Sequence, residues 1–189
     1  MNILNSRMLR SIERIVDLFL LNLIWLLFCL PVVTIFPATA AMYGVIRKWV
    51  MGKETDGVFR SFFLQFRECF FQSIGISTLW FFLAYLIFVN YQLVHSNLLM
   101  MGILGLLTLL FLSITVYLFP VMAQFETKWK QIIRNSLIMA ISYPLSTLLL
   151  IGILLISIYL IYLLPVLIFI VGSISVYVSY TICHKLFLK

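Results

Sequence analysis

The chain has 189 residues, 64% hydrophobic and 10% charged, with 13 Lys and Arg against 6 Asp and Glu and a net charge of +7. A soluble domain carries about a quarter charged residues and cannot hide this much apolar surface, so a water-soluble globular fold is excluded and lipid is the solvent for most of the polypeptide. The cationic excess fits cytoplasmic loops and anionic headgroups; without basic and aromatic interleaving outside the apolar spans, it does not point to nucleic acid.

The opening "MNILNSRMLRSIERIVD" carries Arg7, Arg10 and Arg14. Its apolar run continues beyond the length of an h-region, so a signal peptide is not expected. From about residue 12 to 50 the apolar run is interrupted by Pro31 and Pro37, then by the small residues Ala38, Thr39, Ala40, Ala41 and Gly44, then by Arg47 and Lys48. Two readings fit. One is a single kinked span; the other is a helical hairpin that turns between Pro31 and Pro37 and returns both basic ends to the same side. In the hairpin, Pro31 stops the first helix at the residue before it. Pro37 starts the second, with Thr34 or Phe36 near its cap, and the small residues pack closely on a neighbour.

The next stretch, about residues 57 to 72, places Phe59, Phe62, Phe63, Phe66 and Phe70 on one helical face, with Ser61, Arg60, Gln65, Arg67 and Glu68 on the other. That pattern predicts an amphipathic helix lying in the interface, against lipid or the groove of another protein. Spans are then expected at about 74–94 and 98–123. A smaller elbow follows, with Trp129, Ile132, Ile133 and Leu137 sharing a face. The uncharged run from Asn135 to Cys183 would exceed about 70 Å as one helix. It is expected to turn between Ser157 and Leu164, giving spans at about 135–157 and 163–184, with Pro165 in the first turn of the last.

Cations alternate along the chain. Arg47, Lys48, Lys53, Arg60 and Arg67 precede a loop, 90–97, that has none; Lys128, Lys130 and Arg134 precede a turn near Tyr159 that has none; Lys185 and Lys189 close the chain. This predicts a cytoplasmic C-terminus and, with the hairpin, a cytoplasmic N-terminus.

Ionisable groups at membrane depth mark chemistry, and few are present. Glu13, Glu54, Asp56, Glu68 and Glu126 lie near span ends or in loops, and Asp17, the one acid near membrane depth, has Arg14 beside it. His95 and His184 fall at opposite expected faces, so they cannot share a metal. Cys29, Cys69 and Cys183 have no ligand spacing and are expected to be free thiols. No nucleophile–base set or phosphate loop can be assembled. The expectation is a non-enzymatic protein with no metal and no cofactor. Asn22, Ser77, Thr78, Thr108, Ser113, Thr115, Ser142, Ser146 and Thr147, with Gly172, Ser173, Ser175 and Ser179, suit close helix packing or a path for a neutral polar solute.

Three blocks, "LIWLLFCLPVVTIFPATAAMYGVIRKW", "FRSFFLQFRECFFQS" and "LFPVMAQFETKWKQIIRNSLIMA", taken in order, resemble the YesL-like family of bacterial integral membrane proteins. Pro31, Thr34, Pro37, Ala38, Thr39 and Ala41 match its most recognisable motif, and Phe36 stands where the family usually carries glycine. The resemblance implies a multi-pass protein of the bacterial cell membrane and brings no catalytic residues. Because family members occur beside carbohydrate ABC-transporter components, it implies an accessory or regulatory role in sugar uptake. The alternative is a small carrier or channel for a neutral solute. The expected fold is all-α: one membrane domain over 1–189, a polytopic bundle of five to six membrane helices with an interfacial amphipathic helix.

Overall fold

Backbone groups in lipid must find their partners within their own segment, which leaves a mostly apolar chain the helix as its only open-ended option. The computed structural model describes residues 3–53, 57–94, 98–125 and 129–188, with side chains from residue 13 onward, and among them there is no strand. The helices are α1 (Ile3–Phe28), α2 (Ile35–Val50), α3 (Val58–Leu93), α4 (Leu98–Gln124), α5 (Trp129–Ser142), α6 (Pro144–Leu163) and α7 (Ile168–Phe187). Short 3-10 turns, Val32–Thr34 and Pro165–Leu167, lead into α2 and α7. Four segments are long and apolar enough to cross a membrane: Val58–Leu93, Leu98–Gln124, Pro144–Leu163 and Pro165–Phe187. Their outer faces expose Leu, Ile, Phe and Met side chains in numbers that only a lipid solvent tolerates.

α1 and α2 run antiparallel. Near the turn, Trp25 Nε1 donates to Thr39 Oγ1 at 3.2 Å, and at the far end the Arg14 guanidinium stands 5.2 Å from the centre of the Trp49 ring. α1 stops at Phe28, three residues before Pro31, and α2 begins at Ile35, ahead of Pro37. Pro37 thus sits in the first helical turn, where backbone N–H groups have no intrahelical partner and a missing one costs nothing.

α2 is the centre of the molecule and packs on α1, α3, α4 and α7. Ala38, Ala41, Val45 and Ile46 are wholly buried. One apolar cluster surrounds α2 and includes Leu21, Phe62 and Tyr180. A second fills the space between α3, α4, α5 and α6 with Ile76, Trp80, Tyr117, Val121, Ile132 and Leu150.

Two expected boundaries are corrected. The interfacial helix at 57–72 and the span at 74–94 are one continuous helix, the 36-residue α3. Nothing between Gln72 and Gly75 can break it: a lone helical glycine costs about 1 kcal/mol, while the buried stripe Phe62, Ser73, Ile76, Ser77 and Trp80 runs across the junction. The expected span at 135–157 is cut at Tyr143, because Pro144 cannot donate to the Ala140 carbonyl. Thr147 Oγ1 lies 3.1 Å from that freed carbonyl and 2.9 Å from Tyr143 O, so one hydroxyl mends the break. The separate amphipathic helix of this protein is therefore α5, with Ile132 and Ser136 buried and Lys130 and Arg134 outward.

Candidate functional site

The motif residues act together as a turn and a seam. Pro31 opens the 3-10 turn, and the Thr34 hydroxyl lies 2.6 Å from Phe28 O and 2.7 Å from Pro31 O. Thr34 is the residue before α2, yet its side chain makes no capping bond to that helix. Its one hydroxyl proton is shared between the trailing Phe28 carbonyl of α1 and the Pro31 carbonyl of the turn instead, groups that lipid cannot hydrate. Thr39 donates to Ile35 O at 2.7 Å while accepting from Trp25. Ala38 and Ala41 carry no side chain beyond Cβ, which lets neighbouring helices approach α2 closely. Phe36 is a packing residue whose ring meets Phe119 at 5.2 Å and Phe81 at 5.8 Å.

At the far end of α2 the bundle gathers its polar side chains. Tyr180 on α7 is fully buried and donates its hydroxyl to Gln124 Oε1 on α4 at 2.7 Å. Arg47 on α2 faces the same Tyr180, and the His184 ring stacks beneath it at 6.0 Å. Tyr43 meets Ser179 and Cys183 one turn deeper. Arg47 Nε and His184 Nδ1 are buried with no hydrogen-bond partner. The cluster joins the ends of α2, α4 and α7, and among the described residues it holds the Arg47 cation, the His184 imidazole and hydroxyl and amide groups with no carboxylate, a set that can orient an anionic group. Sequence reasoning noted Arg47 and His184 singly. Gln124 and Tyr180 carry no local pattern, because only the packing of α4 on α7 makes them partners. His95, with Glu54, Asp56, Glu126 and Lys128, lies outside the described residues, as do the side chains of Arg7 and Arg10.

The expected phenylalanine face of α3 divides in two. Phe62 is buried, and Phe66 and Phe70 are half-buried. Phe28 of α1 meets Phe62 at 5.2 Å and Phe66 at 4.9 Å, both edge-on, the geometry aromatic quadrupoles prefer. Phe59 and Phe63 point away from the bundle, 62% and 48% exposed, beside Arg60, Leu64 and Arg67. The face expected to meet lipid or the groove of another protein is split because its inner half docks on the chain's own α1 and α2.

Most hydroxyls within the spans are spent on their own helices. Thr78, Thr108, Ser113 and Thr115 each donate to the carbonyl four residues back, at 2.7–2.9 Å. Thr115 Oγ1 also accepts from Trp80 Nε1 at 2.9 Å, tying α3 to α4. Asn22 is fully buried and donates across to Ile168 O at 2.7 Å, tying α1 to α7. Among the described residues no three His, Cys, Asp or Glu side chains come together as a metal site.

Residues 18–91, from the second half of α1 to near the end of α3, match the family model described as a protein of unknown function, DUF624. Three proteins of Bacillus subtilis are similar to this chain, each described as uncharacterized. YteU is 30% identical over 145 residues, 73% of this chain and 65% of YteU. YesL is 30% identical over 134 residues, 68% of this chain and 64% of YesL. YesV is 31% identical over 165 residues, 81% of this chain and 77% of YesV. The chain thus covers slightly less than two thirds of YteU and of YesL. No solved structure matches.

Proposed function

The chain belongs to the YesL-like DUF624 family, and from that premise we propose that it is a non-enzymatic accessory protein of the bacterial cell membrane that docks on a partner membrane protein through the outer face of α3. One observation carries this reading. At ~1.5 Å per residue, the 36 residues of α3 extend about 54 Å, well beyond a hydrocarbon core of about 30 Å. Its first turns, with Arg60, Gln65, Arg67 and Glu68, therefore stand in the headgroup region or beyond. Phe59 and Phe63 are exposed on those turns, at a depth that acyl chains would not reach. Aromatic side chains flanked by arginine are the composition of an interface hot spot. Because α3 is unbroken, movement of a docked partner passes directly into the span.

The ends of α2 and α7 carry Arg47 and Lys48, and His184 and Lys185, and these ends face the cytoplasm by the positive-inside rule. The resemblance to the YesL-like family makes a carbohydrate importer the partner to test first, with its regulation or assembly as the proposed role. A solute-carrier role draws no support from the span hydroxyls, which are used within and between helices.

A photoreactive amino acid at Phe63, irradiated in native membranes, tests the proposal. The expected product is a covalent adduct with a membrane subunit of an importer, identified by mass spectrometry and weakened about tenfold or more by Phe59→Ala, the loss expected at a hot spot. Adducts with lipid alone would overturn it.

A further inference from the structure

A groove of about 520 Å³ lies between α3 and α5, lined by Phe71, Gln72, Gly75, Leu79 and Trp129. Arg67, Phe71, Gly75 and Leu79 are spaced four apart, so they form one stripe along α3, each step about 6 Å further into the span. Read along that stripe, the chemistry runs from a cation to an aromatic ring, then a gap, then an aliphatic chain. The gap is real space: a Cβ at Gly75 would meet nothing within 4 Å. Trp129 forms the α5 wall, and Lys130 Nζ stands 5.4 Å from the centre of its ring, which keeps a second cation at the rim. Glu68, the acid next along α3, is engaged by Gln65 Nε2 at 2.7 Å.

We infer that this groove binds one anionic glycerophospholipid, its phosphate between Arg67 and Lys130 and one acyl chain along Phe71, Gly75 and Leu79 against Trp129. Charge complementarity at the rim selects the headgroup. The order of the stripe matches the order of the lipid, cation first and apolar side chains after. An apolar helix of a second protein would fit the lower groove but would itself bring no anionic group to Arg67 or Lys130.

The test extracts the protein into mild detergent from vesicles of equal phosphatidylglycerol and phosphatidylcholine, and counts retained lipids by native mass spectrometry. The wild-type chain retains phosphatidylglycerol in preference, by about fivefold for each rim cation. The exposed double substitution Arg67→Gln/Lys130→Gln abolishes the preference by lowering phosphatidylglycerol retention while leaving phosphatidylcholine retention unchanged. Gly75→Leu fills the floor and lowers total retention several-fold; Leu79→Trp does the same by a second route. Equal retention of the two lipids by the wild-type chain, or undiminished retention in both groove-filling variants, overturns the inference.

Discussion

At the scale of single residues, two glycines with similar surroundings have different consequences. A Cβ at Gly44 would collide with the end of Gln65, and a Cβ at Gly172 would collide with Asn22 Oδ1. Gln65 is half-exposed, on a long side chain held by a bond to exposed Glu68, so it can swing aside. Asn22 is short, fully buried and tied to Ile168 O, so it cannot. Gly172→Ala is therefore expected to destabilise the protein by about 1–3 kcal/mol, the usual cost of overpacking. Gly44→Ala is expected to be near neutral. Thermal unfolding of the two variants in the same detergent separates them, and equal losses would contradict the assignment of Asn22 as the rigid partner.

At the scale of elements, prolines and threonines divide the work of ending helices. Pro144 frees the Ala140 carbonyl and Thr147 satisfies it; Pro31 follows the free carbonyls of α1 and Thr34 satisfies one of them. Thr147→Val should cost about 1–2 kcal/mol by stranding a carbonyl in lipid, whereas the double variant Pro144→Ala/Thr147→Val, which restores the backbone donor, should recover most of that loss. Unfolding in a mild detergent series reads both, and a double variant no better than Thr147→Val alone would show that the hydroxyl has another role. The boundaries that sequence reading misplaced lie at this scale. The amphipathic pattern of 57–72 is present, but its inner half, Phe62 and Phe66, finds Phe28 instead of lipid, and no residue at the junction stops the helix. The break at Pro144 falls inside an uncharged run, where no charge marks the boundary and the backbone chemistry of proline sets the end.

At the scale of the whole molecule, the helical class and the family were legible because lipid allows few alternatives and because Pro31, Thr34, Pro37, Ala38, Thr39 and Ala41 keep a recognisable order. The polar cluster of Arg47, Gln124, Tyr180 and His184 was not legible. Its members lie on three helices, and Gln124 and Tyr180 are 56 positions apart, joined only by the parallel packing of α4 and α7. The position of α2 also emerges only in three dimensions. In sequence its small residues mark a hairpin arm that packs closely on a neighbour; in three dimensions it is the buried strut against which four helices, α1, α3, α4 and α7, assemble. That arrangement requires the chain to enter and return between residues 13 and 53. Single cysteines at Glu13, Leu30 and Lys53, each in a chain with Cys29, Cys69 and Cys183 replaced by serine, test it with a membrane-impermeant maleimide on vesicles of both orientations. Glu13→Cys and Lys53→Cys are predicted to label from the same face and Leu30→Cys from the opposite one. Labelling of positions 13 and 53 from opposite faces would contradict the hairpin and, with it, the central place of α2.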